Sequence, residues 1–240
     1  MPISYHITMR HGYTVSDLHL FTHCSTAGRE MPGIVAAARR ADFLVLNGDI
    51  FDFRWSTFPT LERTVSAAAG WLDELAAECP RCQLVYLMGN HDRMAAMTGP
   101  LAKLAARRGN FLWHSSHLQI HGALFLHGDL ALRADQVNPF QRTLRQKQWK
   151  PGPAARMIYR SLTRARVQCL AKGLNPPRRC ARRILRSLAQ HGSPTQQIVR
   201  DVYFGHTHRP FRDFEYKGVR FHNTGAAVRG LRMDLLEIRL

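Results

Sequence analysis

Five times along the chain, a short apolar run stops at a polar cluster built from aspartate, histidine, asparagine and glycine. Tyr13-Thr14-Val15-Ser16 leads into Asp17-Leu18-His19, and Phe43-Leu44-Val45-Leu46 into Asn47-Gly48-Asp49-Ile50-Phe51-Asp52. Leu84 to Met88 leads into Gly89-Asn90-His91-Asp92, Ala123 to Leu126 into His127-Gly128-Asp129, and Ile198 to Phe204 into Gly205-His206-Thr207-His208. Apolar runs without polar alternation read as strands buried on both faces. Helical-period stretches at Met31 to Arg40, Leu61 to Ala77 and Met94 to Arg108 separate them, which is the pattern of an α/β core. Open α/β sheets bind ligands outside the carboxyl ends of their strands. The five clusters are therefore expected to converge on one crevice.

Further strands are expected at Phe111 to His114, His117 to Ile120 and Leu235 to Leu240. A hairpin is expected across Lys217-Gly218, between Phe211 to Tyr216 and Val219 to His222. Alternating elements followed by hairpins give mixed sheets, read here as one domain over residues 1–240. No apolar run of eighteen residues exists, which excludes a membrane-spanning helix. The opening residues lack the apolar core of a secretory signal. Five scattered cysteines do not form a disulfide framework, so a reducing, cytoplasmic setting is expected. Cys79-Pro80-Arg81-Cys82 has CxxC spacing but precedes a strand and has no second pair, so it reads as a loop with two incidental thiols.

Charge is concentrated in one place. Residues 131–200 carry thirteen arginines and three lysines against a single acid, Asp135, a net of +15 out of +17 for the whole chain. This basic segment reads as helices interrupted at Pro151-Gly152-Pro153 and Asn175-Pro176-Pro177, inserted at about 131–197 between two core strands. A solvated face usually mixes both signs, so the excess points to an anionic partner: a phosphate-bearing substrate, anionic lipid or nucleic acid.

The clusters supply carboxylate, imidazole and amide oxygen without thiolate, a donor set for divalent ions such as Mn²⁺, Fe²⁺ or Zn²⁺. They offer too many ligands for one tetrahedral ion. Two metals bridged by a carboxylate can clamp a phosphoryl group.

Together Asp17-x-His19, Gly48-Asp49-x-x-Asp52, Gly89-Asn90-His91-Asp92, His127-Gly128-Asp129 and Gly205-His206-x-His208 resemble the motifs of calcineurin-like metallophosphoesterases. The resemblance implies a four-layer αββα sandwich of two mixed β-sheets. It implies a first metal held by Asp17, His19, Asp49 and His208, and a second held by Asp49, Asn90, His127 and His206, with Asp49 bridging. It places His91 at the leaving-group oxygen and Asp92 as the residue orienting His91. Asp52 is expected to be structural rather than a ligand. The two ions are expected to be Mn²⁺, with Fe²⁺, Co²⁺ or Zn²⁺ as alternatives.

A basic helical insertion between the fourth and fifth motifs is similar to the lid of UDP-2,3-diacylglucosamine hydrolases. That likeness implies cleavage of a nucleotide-linked lipid to UMP and a lipid phosphate, with peripheral contact to an anionic membrane. Arg178, Arg179, Arg182 and Arg183 are the expected substrate-binding residues. A nuclease, nucleotide phosphodiesterase or broad-specificity phosphatase on the same metal site is the alternative, with nucleic acid as the less favoured partner.

Overall fold

The computed structural model describes residues 9–129, 150–165, 175–191 and 198–240. The chain runs β1 (His11–Val15), α1 (Ala27–Ala38), β2 (Phe43–Asn47), α2 (Leu61–Glu78), β3 (Gln83–Leu87), α3 (Ala95–Arg107), β4 (Phe111–His114), β5 (His117–Ile120) and β6 (Ala123–Leu126). It continues through α4 (Pro153–Arg164), α5 (Pro177–His191), β7 (Asp201–Phe204), β8 (Phe211–Tyr216), β9 (Val219–Asn223) and β10 (Leu236–Arg239). The first sheet has the order β10-β1-β2-β3-β4 and is parallel except at β10. The second has the order β5-β6-β7-β9-β8, parallel through β6, β7 and β9 and antiparallel at both edges.

The period of two along each strand builds the layers. Phe43, Val45, Val85 and Leu87 face the second sheet, where Ala123, Phe125 and Tyr203 meet them. Leu44, Leu46, Leu84 and Tyr86 face the opposite way, onto Ile34 of α1, Leu72 of α2 and Leu101 of α3. Beyond the second sheet, Leu124, Val202, Phe204 and Phe221 pack against Cys180, Ala181 and Ile184 of α5. The order is helices, sheet, sheet, helix. Strands covered on both sides need no polar face, which is why they read as continuous apolar runs.

Two boundaries differ from the sequence reading. Helix α1 begins at Ala27 rather than Met31, and Pro32 sits inside it. The missing amide of Pro32 removes one helical hydrogen bond, and burial of Ala27, Ile34, Ala37 and Ala38 holds the helix nonetheless. Strand β7 starts at Asp201, where pairing to Ala123 and Arg220 begins; Ile198 lies outside the ladder and is 83% exposed. The breaks at Pro151-Gly152-Pro153 and Asn175-Pro176-Pro177 fall where expected, with α4 and α5 opening on Pro153 and Pro177. The expected helical character of 131–149, and the stretches 166–174 and 192–197, lie outside the described residues.

Helix α4 buries none of its own residues. It is held from both ends of a short contact zone. The Tyr159 ring stacks on Trp55 with centroids 4.1 Å apart and planes 12° apart. Just before the helix, the Lys150 ammonium donates to the Ser56 hydroxyl and the Phe58 carbonyl. Cys79 and Cys82 are free thiols packed in the core, and burial pushes the Cys82 thiol up to about 12. Among the described residues no helix is long and apolar enough to cross a membrane.

Candidate metal centre

The five clusters follow β1, β2, β3, β6 and β7, whose carboxyl ends point the same way in each sheet. The Asn47 amide nitrogen, at the end of β2, donates to the Tyr203 carbonyl across the sheets at 3.0 Å. His127 Nδ1 lies 3.2 Å from the Asn47 carbonyl. An Nδ1–H donated there fixes the ring and leaves Nε2 aimed at the centre, the arrangement that prepares a histidine as a metal ligand.

Three groups of ligand atoms result among the described residues, each with its atoms within 4.8 Å of one another: Asp17, His19 and His208; Asp49, His127 and His206; and His19, Asp52 and His91, which shares His19 with the first. His208 Nε2 is 3.0 Å from Asp17 Oδ1 and 3.4 Å from His19 Nε2. His127 Nε2 is 3.0 Å from Asp49 Oδ2. His206 and His208, two residues apart, go to different groups because they lie in the loop after β7 rather than on one strand face.

The backbone is bent to achieve this. Asp17, His19, Asp49, His206 and His208 have φ between 45° and 64°, in the left-handed region. Asp and His tolerate that region better than most residues, yet each such position costs free energy unless the surroundings fix it. Gly205 shows how tightly they do so: a Cβ there would overlap the Asp17 carboxylate and the Ser16 side chain. At Gly89 a Cβ would overlap Asp49.

A ring of hydrogen bonds orients the carboxylates. Asp17 accepts from the Ser16 hydroxyl and from the His206 amide at 3.0 Å. Ser16 in turn meets Thr224, and the adjacent Asn223 amide donates to the Gly205 carbonyl and the Thr207 hydroxyl. Asp49 Oδ1 accepts the His91 amide at 2.7 Å. Burial works against ionising Asp17 and Asp49, but the histidines around them, His127 foremost, hold both carboxyls below the ordinary range. Burial also opposes charging His127, and the Asp49 and Asp17 carboxylates outweigh it, raising the imidazole to about 10. His206 is pushed down to about 4 by burial and by His127, so its ring is neutral.

These residues fit a pair of divalent ions. Asn90 Oδ1 is buried without a hydrogen-bond partner, and His127 Nε2 contacts Asp49 outside hydrogen-bonding alignment. Buried polar atoms without a hydrogen-bond partner are costly unless something satisfies them. The donors are imidazole, carboxylate and amide oxygen, with no thiolate, a set that suits Mn²⁺, Fe²⁺ or Zn²⁺.

The sequence pattern of the calcineurin-like phosphoesterases matches residues 13–210, most of the chain and all five clusters. The chain belongs to the calcineurin-like phosphoesterase family. No curated protein matches it. Among solved structures it is similar to a dimetal phosphatase from Danio rerio, at 14% identity over 97% of this chain and 93% of that one, with a TM-score of 0.49. It is also similar to a phosphopantetheinyl hydrolase from Mycobacterium tuberculosis, at 15% identity over 96% of each chain, with a TM-score of 0.44. This phosphoesterase is thus a metal-dependent phosphoester hydrolase, and the family together with the histidine–aspartate groups indicates a dinuclear divalent site.

One expectation needs correction. Asp92 does not orient His91. His91 Nδ1 pairs with Asp52 Oδ2 at 2.9 Å, while Asp92 accepts from the amides of Gly89 at 2.6 Å and Ile50 at 2.8 Å. Asp92 therefore ties the loop after β3 to the loop after β2, and burial raises its carboxyl to about 6. Asp52, fully buried, also accepts the Trp55 amide at 2.9 Å. Burial opposes the positive charge on His91, but Asp52 and Asp49 beside it raise the imidazole to about 10.

The arginines expected at the substrate lie on α5: Arg178, Arg179 and Arg182 are exposed and Arg183 is half-buried, while Cys180, Ala181 and Ile184 seal the helix to the second sheet. Helix α5 is thus a layer of the sandwich. Helix α4, through Tyr159 and Trp55, abuts the loop after β2.

Sequence reasoning missed Arg93, which the phosphoesterase buries against Asp129 with contacts of 2.8 and 3.4 Å. Its place directly after Asp92 was the available signal. Tyr159 carried none, since its partners Trp55 and Cys24 are more than a hundred residues away.

Proposed function

We propose that the chain is a single domain that hydrolyses a phosphoester or pyrophosphate bond with two metal ions, Mn²⁺ in the first instance. Asp17, His19, Asp49 and His208 would hold one ion, and Asp49, Asn90, His127 and His206 the other. Bound there, such a pair neutralises phosphoryl charge and lowers the pKa of water. The observation that carries this reading is the pairing of two ligand groups with the unpartnered oxygen of Asn90. His91, about one-third exposed at the mouth of the site, is held by Asp52 where it can donate a proton to the leaving oxygen.

The proposed substrate is UDP-2,3-diacylglucosamine or a similar nucleotide-linked lipid, cleaved to UMP and a lipid phosphate. Helix α4 supports it. Met157, Ile158 and Leu162 present an apolar face to solvent at 66, 57 and 48% exposure, while arginines at 156, 160 and 164 recur every turn. A helix of that kind suits acyl chains beside anionic head groups, including a membrane surface. The basic insertion at about 131–197 would act as the substrate-recognition part of the domain.

The test uses metal-stripped protein reloaded with Mn²⁺ and given UDP-2,3-diacylglucosamine in detergent, with products identified by mass. UMP release that depends on metal and is lost in Asp49→Ala is the expected result. Mn²⁺-dependent cleavage of an aryl phosphodiester without UMP would discard the lipid. Near-normal activity of Asp49→Ala would overturn the bridged metal pair.

A further inference from the structure

Beside α4 a cavity of about 110 Å³ is lined by His23, Cys24, Arg160, Thr163, Arg164 and Arg229. Three guanidiniums and an imidazole share this space, and none of the lining residues is acidic. Guanidiniums converging on one concavity make it electropositive and draw anions to it. The volume is well below the roughly 300 Å³ at which pockets begin to hold drug-sized molecules. It matches a single small tetrahedral anion. Arginine forks bind phosphate oxygens bidentately.

The cavity is tied to the metal centre by a short chain of contacts. The Tyr159 hydroxyl meets Cys24 Sγ at 3.4 Å, Cys24 meets the Thr22 hydroxyl at 3.3 Å, and that hydroxyl donates to the His19 carbonyl at 2.8 Å. The Tyr159 ring, stacked on Trp55, holds α4 in place so that Arg160 and Arg164 face the turn at His23. Arg229 also lines an adjoining cleft of about 670 Å³ along 25–30 and 228–231, which gives room for an organic group esterified to the bound anion.

We propose that this cavity is a phosphate seat, binding a phosphate group of the substrate other than the one attacked at the metals. The inference deepens the phosphoester reading and makes it selective for substrates with at least two phosphates. Recognition of that phosphate then comes from α4 and Arg229.

The first arm of the test needs no catalysis. Metal-stripped protein is titrated with inorganic phosphate by calorimetry at low ionic strength. Arg160→Ala/Arg164→Ala is expected to weaken binding at least tenfold, and Arg229→Ala, from the other wall, several-fold. Arg81→Ala/Lys217→Ala removes the same charge from exposed positions at the amino ends of the strands and serves as control. Equal weakening in both double variants would mean a general field rather than a seat, and would overturn the proposal, as would no weakening in either.

In the second arm, with Mn²⁺ present, the ratio of KM for a nucleoside diphosphate ester to KM for an aryl phosphodiester should rise about tenfold in Arg160→Ala/Arg164→Ala. An unchanged ratio would refute the role in substrate selection. Loss of all hydrolysis in the parent protein with phosphate binding intact would refute the proposed reaction and leave the seat standing.

Discussion

Removing the Asp129 carboxylate should destabilise the fold by about 3–5 kcal/mol, the cost of leaving a buried partner charge uncompensated. The structure supports the upper part of that range. The Arg93 and Asp129 side chains are each 4% exposed. The guanidinium also donates to the Met88 carbonyl at 2.9 Å and the Ser115 carbonyl at 3.1 Å, so it is pinned and cannot swing out to water. In Asp129→Ala its charge remains inside with only carbonyl dipoles to answer it. For a chain of this size a loss of that order lowers Tm by roughly 6–20 °C. Urea unfolding in the presence of chelator is the assay, because a bound metal would add its own stabilisation. The companion variant Arg93→Met/Asp129→Leu removes both charges and should recover most of the loss, since a buried pair and its apolar replacement are close in free energy. A loss below about 1 kcal/mol in Asp129→Ala, or no recovery in the double variant, would refute the claim that the pair is desolvated and mutually dependent.

His91→Ala should lower kcat by about 10²–10⁴-fold, the usual contribution of a positioned proton donor, while Asp52→Asn, which keeps the ring in place by a weaker hydrogen bond, should lose less; steady-state kinetics at saturating metal decides. Tyr159→Ala should raise KM for a nucleotide-linked substrate more than it lowers kcat, because α4 loses a stack worth about 0.5–1.5 kcal/mol; Tyr159→Phe should retain most of the wild-type KM. Metal loading should release protons and weaken as pH falls. In the metal-free protein the raised His127 imidazole is protonated at neutral pH. A metal must displace that proton, and lower pH favours the proton. Calorimetry in buffers of different ionisation enthalpy measures the release.

The fold was legible because burial on both faces writes itself into β2, β3 and β6 as unbroken apolar runs. Those strands and their parallel pairing need only local pattern and the short helices between them. The basic insertion was less legible. A charge count cannot distinguish α5, which hides an apolar stripe against Val202 and Phe204, from α4, which leaves its apolar face outside. Both helices are amphipathic, and what decides their roles is the neighbouring surface. Asp92 was misread for a similar reason. Adjacency to His91 suggested a contact, but the loop after β3 turns so that Asp92 faces the backbone of Ile50, and Asp52, thirty-nine residues away, takes the imidazole.

The geometry of the ligands lay furthest from the sequence. Residue types and order announce a metal site, but five of the candidate ligands sit in left-handed backbone that no local propensity requires. Each such residue costs on the order of 1–3 kcal/mol where the surroundings must enforce it, which together is comparable to the net stability of a domain, about 5–15 kcal/mol. The strain is tolerable only because long-range contacts fix those turns: the Thr224 hydroxyl on Ser16, the Asn223 amide on the Gly205 carbonyl, the Asp92 carboxylate on the Gly89 and Ile50 amides. None of these supporting residues is a candidate ligand. They come from β9 and its loop and from the turn after β3, so the shape of the centre is a property of the closed sandwich rather than of any motif. A fragment carrying the five motifs without the β9 loop would keep the ligand types and lose the geometry that gathers them.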